Sequence, residues 1–171
     1  MSTAKEVHSY TAQRVVLTSA KPFPEALAAL NAEVNAGGQP HVSDVLRGAR
    51  NREQIERGMA QLTADGKRDF VLFSVMAHSE WLGVYTGEAL PQFLLYTFGN
   101  PLIAKEFLLR DPVVGACVPP RVFLRETVNG GTSVEYDLPS AWYVERPTPE
   151  LKRALEGLDE KLEALVRKVL A

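Results

Sequence analysis

Four residues within one octet are equipped for chemistry. His78, Glu80, Trp81 and Tyr85 stand in the segment HSEWLGVY, directly after an apolar run. An imidazole titrates near neutrality and can give or take a proton. Glu80, two residues on, can orient that ring or act separately. If the segment is helical, Trp81 and Tyr85 share a face, four residues apart, and can wall a pocket. His78, Glu80 and Tyr85 are the catalytic candidates on this reading. A plainer one stands beside it: the histidine caps a strand end through hydrogen bonds, and the two rings pack in the core.

A second group is better suited to holding a ligand. Trp81 belongs to it, together with Tyr96, whose hydroxyl needs a hydrogen-bond partner if buried. Asn100, held between Gly99 and Pro101, can donate and accept toward a ligand carbonyl or stabilise its own turn. Cys117 is reactive only if a nearby cation or helix start depresses its pKa. Arg121 could supply that cation if the fold brings it round; otherwise Cys117 is a small buried hydrophobe. Arg121 and Arg125 fall on one strand face, where they can clamp a carboxylate or lie solvated.

Other chemistries leave no trace. There is no glycine-rich phosphate loop, no Gly-x-Ser-x-Gly elbow and no His-Glu-x-x-His pair. His8, His41 and His78 are too scattered to nominate a metal triad, and one cysteine excludes both an intrachain disulfide and a multi-thiolate site. The expectation is a site without metal or cofactor. A formal net charge of -2 offers no field to gather nucleic acid or an anionic membrane. No apolar run approaches the ~20 residues that span a bilayer, and MSTAKEVHSY lacks an apolar signal core. A cytoplasmic protein is the simplest expectation.

The elements that must position these residues follow from periodicity and punctuation. Tyr10 to Thr18 has strand composition. Pro24 opens a helix through residue 35, broken by Gly37-Gly38-Gln39-Pro40. Ser43 is the expected N-cap of a second helix. A thin stripe of Val45, Leu46, Ile55, Met59 and Leu62 then suggests two short helices around a polar interruption. Asp69 to Met76 is apolar on both faces, which predicts a central strand. Ser79 to Gly87 reads as a helical turn or loop, Gln92 to Phe98 as a strand, and Pro101 to Leu109 as a helix stopped by Asp111-Pro112. Arg121–Val128 and Thr132–Asp137 flank Asn129-Gly130 as a hairpin. Thr148 caps a long amphipathic helix over 149–170. The domain organisation expected is a flexible N-terminus at 1–9 and one domain at 10–145. The helix region 146–171 then packs on that domain or at a dimer interface.

Four segments occur in order with short gaps: FVLFSVMAH, PQFLLYTFGNP, DPVVGACVPPRVFLRE and NGGTSVEYDLPSAW. Over residues 10–143 the chain resembles the domain-of-unknown-function family numbered 302. Phe98-Gly99-Asn100-Pro101 is the sharpest match, supported by Gly115 to Pro119. The resemblance implies an α+β fold, with helices packed on a mostly antiparallel sheet, and a homodimer. It implies no settled activity. The family pattern carries an acidic residue where this chain has Ala77 and an aspartate near Cys117, and the C-terminal helix looks like an addition to it.

The resulting expectation is a protein that binds a small, partly apolar organic molecule in a cleft around His78. It would catalyse cofactor-independent acid–base chemistry of isomerase, lyase or hydrolase type. Two alternatives stand beside it: a non-catalytic homodimeric binding protein, and an interaction module that uses the C-terminal helix.

Overall fold

The structure is a computed structural model and describes residues 3–171. Five strands form one antiparallel sheet: β1 (Arg14–Ser19), β2 (Val71–Ala77), β3 (Phe93–Gly99), β4 (Arg121–Glu126) and β5 (Thr132–Asp137). Their spatial order is β1-β5-β4-β3-β2. Among the described residues there are also six α-helices: α1 (Phe23–Glu33), α2 (Val42–Gly48), α3 (Arg52–Leu62), α4 (His78–Thr86), α5 (Pro101–Leu108) and α6 (Pro149–Leu170). The protein is α+β, with helices packed on an antiparallel sheet and a long helix at its C-terminal end.

Strand alternation divides the sheet into two faces. Leu94, Tyr96 and Phe98 of β3, Val122 and Leu124 of β4, and Val134 and Tyr136 of β5 are buried in the main core. The same core takes Phe23, Ala26 and Leu30 from α1 and Phe107 from α5. Helix α6 adds eight buried residues, from Leu151 to Leu170. Its stripe lies in the core. Thr148 caps α6 by accepting from the N–H of Leu151 at 3.2 Å, as the Thr-Pro-Glu start predicts.

The hairpin forms where Asn129-Gly130 predicts it. Gly130 has φ +78, and the N–H of Thr127 bonds to the carbonyl of Gly131 at 2.8 Å. A side chain at Gly131 would meet the Ser19 carbonyl at 2.5 Å, so this turn packs against the end of β1.

Four expectations need correction. Strand β2 is an edge strand, not a central one. Its first half is nonetheless apolar on both sides because α2 and α3 bring a second, small core of Val42, Met59 and Leu62 against Val71. Strand β1 begins at Arg14 rather than Tyr10, because β5 reaches no further than the Arg14–Asp137 pair. The N-cap of α2 is His41, whose Nδ1 accepts from the Ser43 N–H at 3.3 Å while Nε2 meets the Phe73 carbonyl at 3.1 Å. The segment after β2 is a regular helix that starts at His78 itself and ends at Gly87, φ +72.

Candidate functional site

The eight candidate residues fall into three places. His78 is half-buried at the start of α4, its ring stacked on Phe93 at 6.3 Å and 17°. The Trp81 indole N–H donates to His78 Nδ1 at 3.3 Å. Trp81 and Tyr85 do share a helix, but neither is core: they are 51% and 83% exposed. Tyr85 makes no hydrogen bond to His78 or Glu80 among the described residues. Glu80, Trp81 and Tyr96 line a shallow hollow with Asn31 and Met76. The Tyr96 hydroxyl is buried and donates to Asn31 Oδ1 at 2.8 Å, which answers its need for a partner.

Asn100 is elsewhere, as the N-cap of α5. Its Oδ1 accepts from the Leu102 N–H at 2.9 Å, and its Nδ2 donates to the Asp69 carbonyl at 3.1 Å. Both ends of the amide serve the turn. Asn100 also stands on the rim of an apolar hollow of about 420 Å³.

Cys117 and Arg121 come together in the third place, the one richest in polar and titratable groups. A hollow of about 670 Å³ lies at the Gly99 end of β3. Thr97, Arg121 and Asp137 rise into it from three neighbouring strands, and Val113 and Cys117 form one side. Trp142 and Tyr143, just past β5, form another, and His8 and Tyr10 close it from the N-terminal segment. The Tyr143 ring lies 5.2 Å from His8 and 5.9 Å from Tyr10.

A buried carboxylate fixes this geometry. Asp111 caps the 3-10 turn that begins at Pro112, its Oδ1 accepting from the Val113 N–H at 3.0 Å. Its Oδ2 accepts from the N–H groups of Glu145 at 2.8 Å and Arg146 at 2.9 Å. One side chain therefore ties the Cys117 wall to the Trp142–Tyr143 wall. The Arg146 N–H leads the contacts that hold the Asp111 carboxyl below its ordinary range, against the opposing effect of burial.

The charges here are unevenly spent. Asp137 is paired with Arg14 at 2.8 Å. Arg125 is paired with Glu135 at 2.8 Å. Arg121 makes no ion pair among the described residues and keeps its cation for the hollow. Burial pushes the Cys117 thiol up, against the pull of the Arg121 guanidinium. That shift disfavours the thiolate, the reactive form of a cysteine. Among the described residues no group of three or more His, Cys, Asp and Glu could hold a metal ion.

Sequence reasoning missed His8, Tyr10, Thr97, Asp111, Asp137, Trp142 and Tyr143. They are scattered over much of the chain and converge only through the sheet order and the Asp111 tie. The nearest signal was the pair Trp142-Tyr143 directly after a strand, since adjacent large rings beside a sheet end commonly wall a pocket.

Residues 52–169 match the family described as domain of unknown function DUF302. The chain belongs to this family. The match runs through α6, so the C-terminal helix is part of the DUF302 pattern and not an addition to it. It starts at α3, well inside the span expected from the motifs. A crystal structure of an uncharacterized conserved DUF302 protein from Bacillus stearothermophilus has the same fold, with a TM-score of 0.62. That likeness covers 91% of this chain and 97% of the other at 14% identity. No curated protein matches the chain. No helix among the described residues is long and apolar enough to cross a membrane.

Proposed function

We propose that this DUF302 protein binds a small, partly apolar organic molecule carrying an acidic group, in the hollow between Cys117 and Trp142. One observation carries the reading: Arg121 is a cation without an ion-pair partner among the described residues, in a hollow where Asp137 is already paired with Arg14 and rings and aliphatic side chains make up much of the remaining wall. A guanidinium in such a setting takes a carboxylate with two parallel hydrogen bonds, and the rings cover the rest of the guest. Phenylacetate is a suitable probe and phenylacetamide its neutral control. Calorimetry should show saturable binding of phenylacetate that Arg121→Ala weakens at least tenfold, with the amide equally weak in both proteins. Wild-type protein that takes up no phenylacetate, or an Arg121→Ala protein that binds it unchanged, sinks the proposal.

A second reading keeps acid–base catalysis at His78. The indole bond to Nδ1 supports it, because a neutral ring that accepts there carries its proton on Nε2, available to a guest. Glu80 supplies the carboxyl of that neighbourhood, whereas Tyr85 stands apart. Unchanged turnover by His78→Ala, on whatever substrate a metabolite screen yields, removes this role.

We also infer a homodimer formed through β2 and α4. Val75, Met76, Trp81, Val84 and Tyr85 account for half of the large exposed apolar side chains among the described residues. Clustered exposed apolar side chains of this kind mark interaction surfaces. Ser74–Ala77 lack a strand neighbour on one side, and β2 itself carries neither charge nor proline to guard that edge. Two copies related by a two-fold axis would bring no strand charges together. The expected setting is the cytoplasm, where a lone thiol such as Cys117 stays reduced.

A further inference from the structure

A different hollow, of about 420 Å³, lies between α5, the first half of β2 and the Val118–Pro120 segment. Its walls include Phe73, Ile103, Phe107, Leu108, Pro119 and Leu158. An apolar cleft of this size beside the core falls in the range of small-molecule sites. Water is a poor occupant. Asn100 is the polar neutral side chain at the rim, and both ends of its amide are already bonded within the fold. A water there would find little to bond with.

One charge stands at this hollow. Lys105, on α5, lines it, and the nearest carboxylate, that of Glu106, is 3.9 Å away on the adjoining residue. An apolar chamber with a single ammonium at its edge matches an amphipathic acid: the chain goes inside and the carboxylate meets the cation. Gly99 helps to keep the chamber open. A Cβ at that position would lie 3.2 Å from the Pro119 Cβ and 3.8 Å from the Phe73 ring.

We propose that this chamber binds the chain of a medium-length aliphatic monocarboxylic acid, with its carboxylate held by Lys105. The site is separate from the Arg121 hollow, with which it shares only the Val118 and Pro119 walls. The probes are decanoate and 1-decanol, titrated by calorimetry into the full chain. Wild-type protein should bind decanoate saturably, with amide shifts at Ile103 and Ala104 in NMR spectra. Ala104→Phe and, from another wall position, Leu108→Trp fill the chamber and should each weaken decanoate at least tenfold. Lys105→Met should weaken decanoate at least fivefold while leaving 1-decanol within twofold. Arg121→Ala should leave the decanoate-induced shifts at Ile103 and Ala104 unchanged, which separates this site from the one proposed above. Three results overturn the proposal. The first is decanoate that causes no shift at Ile103 and Ala104 in the unmodified protein. The second is undiminished binding by either folded filling variant, and the third is a Lys105→Met effect that is absent or equal for acid and alcohol. The wild-type spectra still decide between occupancy and vacancy of the chamber if both filling variants fail to fold.

Discussion

Tyr96 and Tyr136 lie on the same buried face of the sheet and differ in one atom's company. The Tyr96 hydroxyl donates to Asn31, and burial raises its pKa to about 12 against the effect of that bond. The Tyr136 hydroxyl is buried without a hydrogen-bond partner among the described residues; burial first, then Glu163 and Asp159, raise its pKa to about 12. Removing a bonded hydroxyl strands its acceptor, whereas removing an orphan relieves a desolvation cost. Tyr96→Phe should therefore cost about 1 kcal/mol in urea denaturation, and Tyr136→Phe should be neutral or stabilise by up to about 1 kcal/mol. The reverse order would show that these bonds are wrongly assigned. Asp111 makes a pH prediction. Its folded carboxyl titrates below the ordinary value, so its contribution is fully present above about pH 4 and is lost as pH falls through the depressed value. Asp111→Asn should lower stability at neutral pH, and the gap to wild type should close in acid, as followed by circular dichroism from pH 7 to pH 2. A gap of constant size would mean that charge is not what Asp111 supplies.

At the scale of elements, what was legible in the sequence was whatever is encoded locally. The β4–β5 hairpin needs only alternation and Asn-Gly. Helix α6 needs only Thr-Pro-Glu and a leucine every three or four residues. Strand β2 defeated the same logic because apolarity on both faces reports burial, not rank in the sheet. Here the second cover is the small α2–α3 core rather than a pair of flanking strands. Helix α4 was hard to read because Trp81, Val84 and Tyr85 give it no polar face to contrast with a buried one. The hollow around Arg121 was beyond reach for another reason: its walls come from β3, β4, β5 and both flanking segments, and nothing local links them. The α5 cap carries a test of the family tetrad. Asn100→Ala removes a cap and a tie to Asp69 at once, and should cost about 1–2 kcal/mol. Asn100→Asp keeps the accepting oxygen and should recover part of that loss. Equal losses in the two variants would mean that the cap contributes nothing.

For the molecule as a whole, the packing of α6 and the exposure of α4 distribute the apolar surface unequally. Helix α6 joins the core from Leu151 to Leu170, while α4 buries only Ser79. A dimer formed through β2 and α4 should therefore be sensitive to charge on α4 and indifferent to charge on the solvent side of α6. Sedimentation analysis should show Val84→Lys shifting the protein toward monomer, with Lys152→Glu leaving it dimeric. A wild-type monomer at tens of micromolar, or a dimer unmoved by Val84→Lys, contradicts the assembly. The near-contact of Gly99 with Pro119 has a consequence of another kind. Because Pro119 is a party wall between the two hollows, a substituent at position 99 would press on it and ask it to give by a few tenths of an ångström. A change on one side of that wall is thereby felt on the other.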